Sequence, residues 1–174
     1  MKIIIIALLL LLTIFVLQGE HKTYDLSKSI ERVQIQQAEA RKTAQTLRTV
    51  QTIDRYLEAT PLKGKGAKIL AISDNYSIPA SLLLAIARIE SSLGRNYVKN
   101  NIMGIGGHDN MWGFNAVEDS IEYAAKIIST ERVYADFRRT GSIRDLGKVY
   151  CPPTWESWTS NVTAFKQEIE ESIN

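Results

Sequence analysis

One carboxylate interrupts the apolar run ASLLLAIARIESSL, and it lies close to where that run must end. This is Glu90. A carboxyl group that water reaches only in part holds its proton nearer to neutral pH, and a proton held there can be given to a leaving group in an acid-catalysed bond cleavage. Reading that chemistry into Glu90 requires a helix that turns it away from solvent, and the flanking residues predict one. Pro79 suits the first helical position and Gly94 suits a left-handed residue just past the end. At 100° per residue, Ser81, Arg88, Ser92 and Arg95 form a polar stripe. Glu90 falls roughly 160° away from Arg88, on the side of Leu83 and Ile86, where a carboxylate loses hydration. Desolvation and the negative end of the helix dipole both raise its pKa from about 4.3. If the last turn frays, Glu90 is instead an ordinary solvated acid.

Other chemistries find little material. The single cysteine, Cys151, excludes an internal disulfide and a multi-cysteine zinc site, and His21 and His108 are the only imidazoles, so neither metal nor cofactor is expected. Cys151 reads as a small, partly buried apolar residue. A net charge of +2, spread evenly along the chain, leaves no nucleic-acid footprint.

The elements that would carry the acid fall into three parts. Residues 1–19 open with Lys2 and an apolar run from Ile3 to Leu17. That is shorter than the roughly 20 residues of a full span, and no small-residue cleavage site follows it. An uncleaved signal anchor in the lipid bilayer is the preferred reading, with the remainder exported. Residues 20–60 have no proline and predict a helical stalk that reaches roughly 60 Å at 1.5 Å per residue. Leu26, Ile30, Val33, Ala40, Ala44 and Leu47 follow three-four spacing broken by Gln37. This allows self-association through a short coiled coil, although a single amphipathic helix is preferred. Gly64 and Gly66 read as a hinge into residues 61–174, which are long enough for one compact domain. Helical patterns fill that domain. AKILAISDNY comes first, then the Glu90 helix, a glycine-rich turn NNIMGIGGHDNMWGF, and four more helical segments. Capping boxes are expected at Asn115/Glu118 and Ser142/Asp145, and Trp158, Val162, Phe165 and Ile169 share one face of the last helix.

The order IARIESSLG, NNIMGIGG, F-x-A-V-x-D-S-I, VYADFR, then L-x-x-x-Y-C-P-P and W-x-x-x-V resembles the glucosaminidase family of peptidoglycan hydrolases, a lysozyme-like group of bacteria and phages. The match runs from near Ile69 to near Phe165. It implies a mainly α, lysozyme-like domain, with Glu90 as the general acid acting on the β-1,4 bond between amino sugars of peptidoglycan. Asn100, Asn101, Met103, Gly104 and Ile105 fall on the family's N-x-F/M-G-I stretch, which implies one wall of the sugar cleft, although Met103 and Ile105 also suit packing beneath it. Tyr150 matches the tyrosine ahead of the proline pair, implicated in catalysis or substrate positioning. Trp158 matches the family's tryptophan and reads as core. Trp112, in the glycine-rich turn, is a candidate subsite residue because aromatic faces stack on sugar rings.

The chain departs from the family at the second carboxylate. Only a short loop joins Gly107 to Phe114, so the β-lobe is reduced or absent, and Asp109 is the one acid in that loop to serve as base or nucleophile. Three routes stay open: water activated by Asp109, assistance from the substrate's acetamido group, and attack by the sugar's 6-hydroxyl to give an anhydro product. The expectation is a membrane-anchored N-acetylglucosaminidase on the periplasmic or wall side of an envelope, or in a virion membrane. The alternatives are a lytic transglycosylase and a noncatalytic module that binds glycan or scaffolds an assembly.

Overall fold

The computed structural model describes residues 2–106 and 111–173, with side chains from Leu26 onward. It divides into two units, Met1–Thr46 and Leu47–Asn174. The described residues are mainly helical and contain no strand, only an isolated bridge between Val98 and Asn101. Helix α1 (Lys2–Leu57) is followed by α2 (Gly66–Tyr76), α3 (Ala80–Ser91), α4 (Val117–Thr130), α5 (Ala135–Thr140), α6 (Ile143–Tyr150) and α7 (Trp155–Ile173). The segment expected to enter a bilayer, residues 3–17, lies outside the residues whose side chains are described. Among those described, no single helix is long and apolar enough to cross a membrane.

The compact unit begins earlier than the boundary at residue 61 drawn from glycine and proline punctuation. Ile53 and Leu57, on the last turns of α1, are fully buried in its core. The KGKG segment is also not a free hinge. The backbone N–H of Gly66 donates to Asp54 Oδ1 at 2.7 Å, and a Cβ on Gly66 would lie 2.8 Å from the Val50 carbonyl. The chain therefore turns tightly against α1, and only a residue without a side chain fits. A fragment starting at residue 61 loses two buried aliphatic side chains, each worth about 1.5–3 kcal/mol of burial, together with the Asp54 contact. We expect residues 47–174 to unfold cooperatively on heating and residues 61–174 to show no cooperative transition, as read by circular dichroism.

Helix α3 is the centre of this unit. Leu82, Leu83, Leu84, Ala85, Ile86 and Ala87 are all buried, so the helix is covered on every side rather than on one stripe. It packs against α7, α2 and α4. Of its predicted polar stripe, Ser92 and Arg95 are exposed, but Ser81 and Arg88 turn toward α7. Ser81 is buried and donates to Glu170 at 2.9 Å, while Arg88 donates to Glu168 at 2.7 Å and lies 4.1 Å over the Phe165 ring. Ser81 and Arg88 thus tie α3 to α7.

The helix ends are off by one or two residues from the punctuation. Pro79 precedes α3 in an extended conformation and offers its carbonyl to the N–H groups of Leu82 and Leu83. At the other end, Ser92, Leu93 and Gly94 are all left-handed, so the reversal begins two residues before the glycine. Buried Ser91 sustains it: its hydroxyl accepts from the Gly94 N–H at 3.0 Å and lies within 2.9 Å of the Ala87 and Ile102 carbonyls. The capping box of α4 is shifted as well. Asp119, not Glu118, accepts from the Ala116 N–H, and Glu118 pairs with Lys65 at 2.7 Å. Ser142 does stand at the start of α6, but its hydroxyl makes no cap, and Asp145 accepts from Thr140 instead.

Candidate functional site

The left-handed reversal after α3 sends the chain back along that helix, so residues 101–105 return beside its last turn. Asn101 sets this return. Its buried side chain donates to the carbonyls of Ile105 and Trp112 and accepts from the Ile105 N–H, closing a five-residue ring around Met103 and Gly104. Buried Ser120, on α4, sits 3.3 Å from the Ile102 N–H and ties the same loop to the core. Asn100, left-handed at φ 57°, donates to the carbonyls of Phe114 and Asn115 and closes the far end.

Within this frame Glu90 is half-buried. Oε1 accepts from Trp158 Nε1 at 2.8 Å, and Oε2 faces Gly104, where an added Cβ would stand 2.5 Å away. Burial raises the Glu90 pKa, while the indole N–H, which favours the charged form, lowers it by less. The carboxyl is therefore held above the ordinary glutamate range, as the sequence predicts, through burial opposed by a neutral donor. An indole that donates to Oε1 leaves Oε2, the oxygen above the glycine, as the atom that carries the proton whenever the carboxyl is protonated.

Tyr150 closes the remaining side. Its ring stacks on Trp158 with centroids 5.2 Å apart, and its hydroxyl donates to the Met103 carbonyl at 2.5 Å. Burial, then the charges of Glu90 and Tyr134, pushes the phenol well above its usual pKa. A neutral phenol whose proton is spent on a backbone carbonyl is neither base nor nucleophile. The geometry makes Tyr150 a brace that fixes Met103 and Gly104 under the acid.

Of the residues singled out in the sequence, Glu90, Gly104 and Tyr150 come together, with Met103 joined through its carbonyl. The side chains of Asn101, Met103 and Ile105 are buried, so they hold the loop and present no surface to a ligand. Trp112 is 48% exposed, and its ring leans on Tyr123 at 5.1 Å. Asp109 and His108 lie outside the described residues. Among those described, no other carboxylate bears on Glu90 and no cluster of three metal-binding side chains exists. Trp158, which its spacing assigns to the core, has a second role. It is buried, yet its indole N–H is the only directional contact on the acid among the described residues. The signal was available, because a buried indole requires an acceptor and the apolar helices facing it offer one carboxylate.

Trp158→Phe keeps the stacked ring and removes the donor. Since that donor lowers the Glu90 pKa, its loss raises the pH at which the carboxyl titrates, read by NMR. An unmoved titration midpoint counts against the contact as drawn.

No protein-family model, no curated protein and no solved structure matches the chain.

Proposed function

We infer that the compact unit is a lysozyme-like domain that cleaves the β-1,4 glycosidic bond between amino sugars of peptidoglycan, with Glu90 as general acid. The observation that carries this reading is a lone carboxyl, raised in pKa by burial, with one oxygen fixed by Trp158 and the other free above a residue without a side chain. The ordered resemblance of five sequence segments to the glucosaminidase family supplies the substrate class. Proton transfer from Oε2 to the bridging oxygen breaks the C1–O bond and leaves an oxocarbenium-like sugar, and the resulting carboxylate then accepts the proton of the incoming nucleophile. Neutral Tyr150 and the loop around Gly104 keep the acid in place throughout.

The nucleophile distinguishes two readings. Water gives a reducing N-acetylglucosamine end, the hydrolytic glucosaminidase outcome. The substrate's own 6-hydroxyl gives an anhydro sugar, the lytic transglycosylase outcome. This second reading draws support from the short Gly107–Phe114 loop and from a single carboxyl serving as acid and then as base. Mass spectrometry of fragments released from peptidoglycan by the full chain in detergent assigns the ends. Fragments that appear equally without protein end the catalytic reading in favour of a noncatalytic glycan-binding module, and release undiminished by Glu90→Gln removes Glu90 as the acid. On the preferred reading the chain is held in a membrane through residues 3–17 and acts on the wall side of an envelope or in a virion membrane.

A further inference from the structure

Tyr134 is a polar group beside the acid that has had no part so far. It closes a single helical turn, Arg132–Tyr134, which joins α4 to α5 and packs against α4, α5 and α6. Its ring belongs to the core, and only 7% of the residue is exposed. Its hydroxyl makes no hydrogen bond among the described residues, yet it is not sealed away either. The one fully enclosed side-chain oxygen without a partner there is Thr159 Oγ1. An apolar ring indoors with its polar tip at the surface is ordinary for tyrosine where the tip meets open water. So little exposure gives this tip only a narrow opening.

Tyr150 fixes where that opening lies. It stands on the last turn of α6, the helix that packs against the Tyr134 turn. Its phenol feels two charges, those of Glu90 and Tyr134, so both groups are its neighbours. The Tyr150 hydroxyl is itself bonded to the Met103 carbonyl, one residue before the glycine that Glu90 Oε2 faces. Two phenols therefore stand on this side of the acid in opposite states. Tyr150 spends its proton on the backbone, while Tyr134 keeps both a donor and its acceptor lone pairs.

An unpaired phenol in a nearly closed place calls for a partner from outside the chain. Burial keeps this phenol neutral. A neutral group that both gives and accepts matches a sugar hydroxyl, which does the same, better than a carboxylate that only accepts or an ammonium that only donates. A second contact is also what the reaction lacks. Glu90 meets the glycan at the bridging oxygen alone, and a ring held at one atom still turns about it, whereas two contacts fix its orientation.

We propose that Tyr134 is a substrate-contacting residue, whose hydroxyl hydrogen-bonds a hydroxyl group of the amino sugar at the bond facing Glu90. The proposal rests on the glycan-cleaving reading for its ligand.

The test is Tyr134→Phe in the full chain in detergent micelles, with initial rates of fragment release from soluble, uncrosslinked glycan strands. The value of kcat/KM falls about tenfold. The melting temperature is not lowered and the Glu90 titration midpoint by NMR does not move, because the hydroxyl holds nothing in the folded chain. Tyr150→Phe gives the contrast, since loss of the bond to the Met103 carbonyl lowers the melting temperature. Release by Tyr134→Phe at the parent rate overturns the proposal. So does a slower rate accompanied by a lower melting temperature or a displaced Glu90 midpoint, which makes Tyr134 part of the scaffold. Failure of the glycan-cleaving reading looks different: the parent chain itself then releases no fragments, and Tyr134 has no sugar to hold.

Discussion

Glu90→Gln lowers peptidoglycan cleavage by a factor of about 10²–10⁴, the range general acid catalysis contributes, while the protein stays folded. The amide keeps an oxygen to accept from Trp158 Nε1, so the contact at 2.8 Å survives and only the transferable proton is removed. The same variant carries a stability signature. Burial places the Glu90 pKa in the folded chain above its unfolded value near 4.3. The folded state therefore binds the proton more tightly. Stability from this group is fully present below the unfolded pKa and is lost as pH rises through the folded one. Glutamine has no charge to bury, so the variant matches the parent in acid and melts higher at neutral pH. Less active and more stable is the expected combination, measured by fragment release and by melting curves across pH. A variant that is less active and equally less stable at every pH would place Glu90 in the scaffold.

Gly104→Ala is the second large effect, and it replaces no ionisable group. Gly104 sits at φ 67°, where a side chain is strained, and the new Cβ would stand 2.5 Å from Glu90 Oε2. The carboxyl must move or the loop must open. The loop is held by Asn101 and by the Tyr150 hydroxyl on the Met103 carbonyl, so the carboxyl is the part that yields. Displacing an acid by about 1 Å costs about 10²-fold in rate, against roughly 1 kcal/mol for the left-handed alanine. We expect fragment release to fall by about two orders of magnitude, with a melting temperature lowered by only a few degrees. Full activity in this variant would show that the space above Gly104 is not used.

The helical character, the burial of Glu90 and the apolar face of α7 follow from spacing and composition, because period and hydropathy report which side of an element is dry. The stripe of Ser81 and Arg88 misled, since polarity alone does not separate a face toward water from a face toward Glu168 and Glu170 on another helix. Boundaries were displaced for a related reason. Gly66 read as a hinge because local rules register its freedom, whereas its purpose is the close approach of Asp54 and the Val50 carbonyl. Asn101 and Trp158 lay beyond local rules altogether. Asn101 acts across its loop on the Trp112 carbonyl, and Trp158 reaches Glu90 only because α7 packs on α3.

The site as drawn depends on one electrostatic property, a carboxyl that gives up its proton at higher pH than an exposed glutamate because protein has replaced part of its water, while Trp158 fixes its orientation. Carbon-13 labelling of the glutamate δ-carboxyls, with Glu90→Gln to assign the resonance, allows this group to be titrated by NMR in the full chain. The expected result is a Glu90 midpoint above that of the exposed glutamates, moving higher still in Trp158→Phe. A Glu90 midpoint at or below theirs, indifferent to the indole, would contradict it.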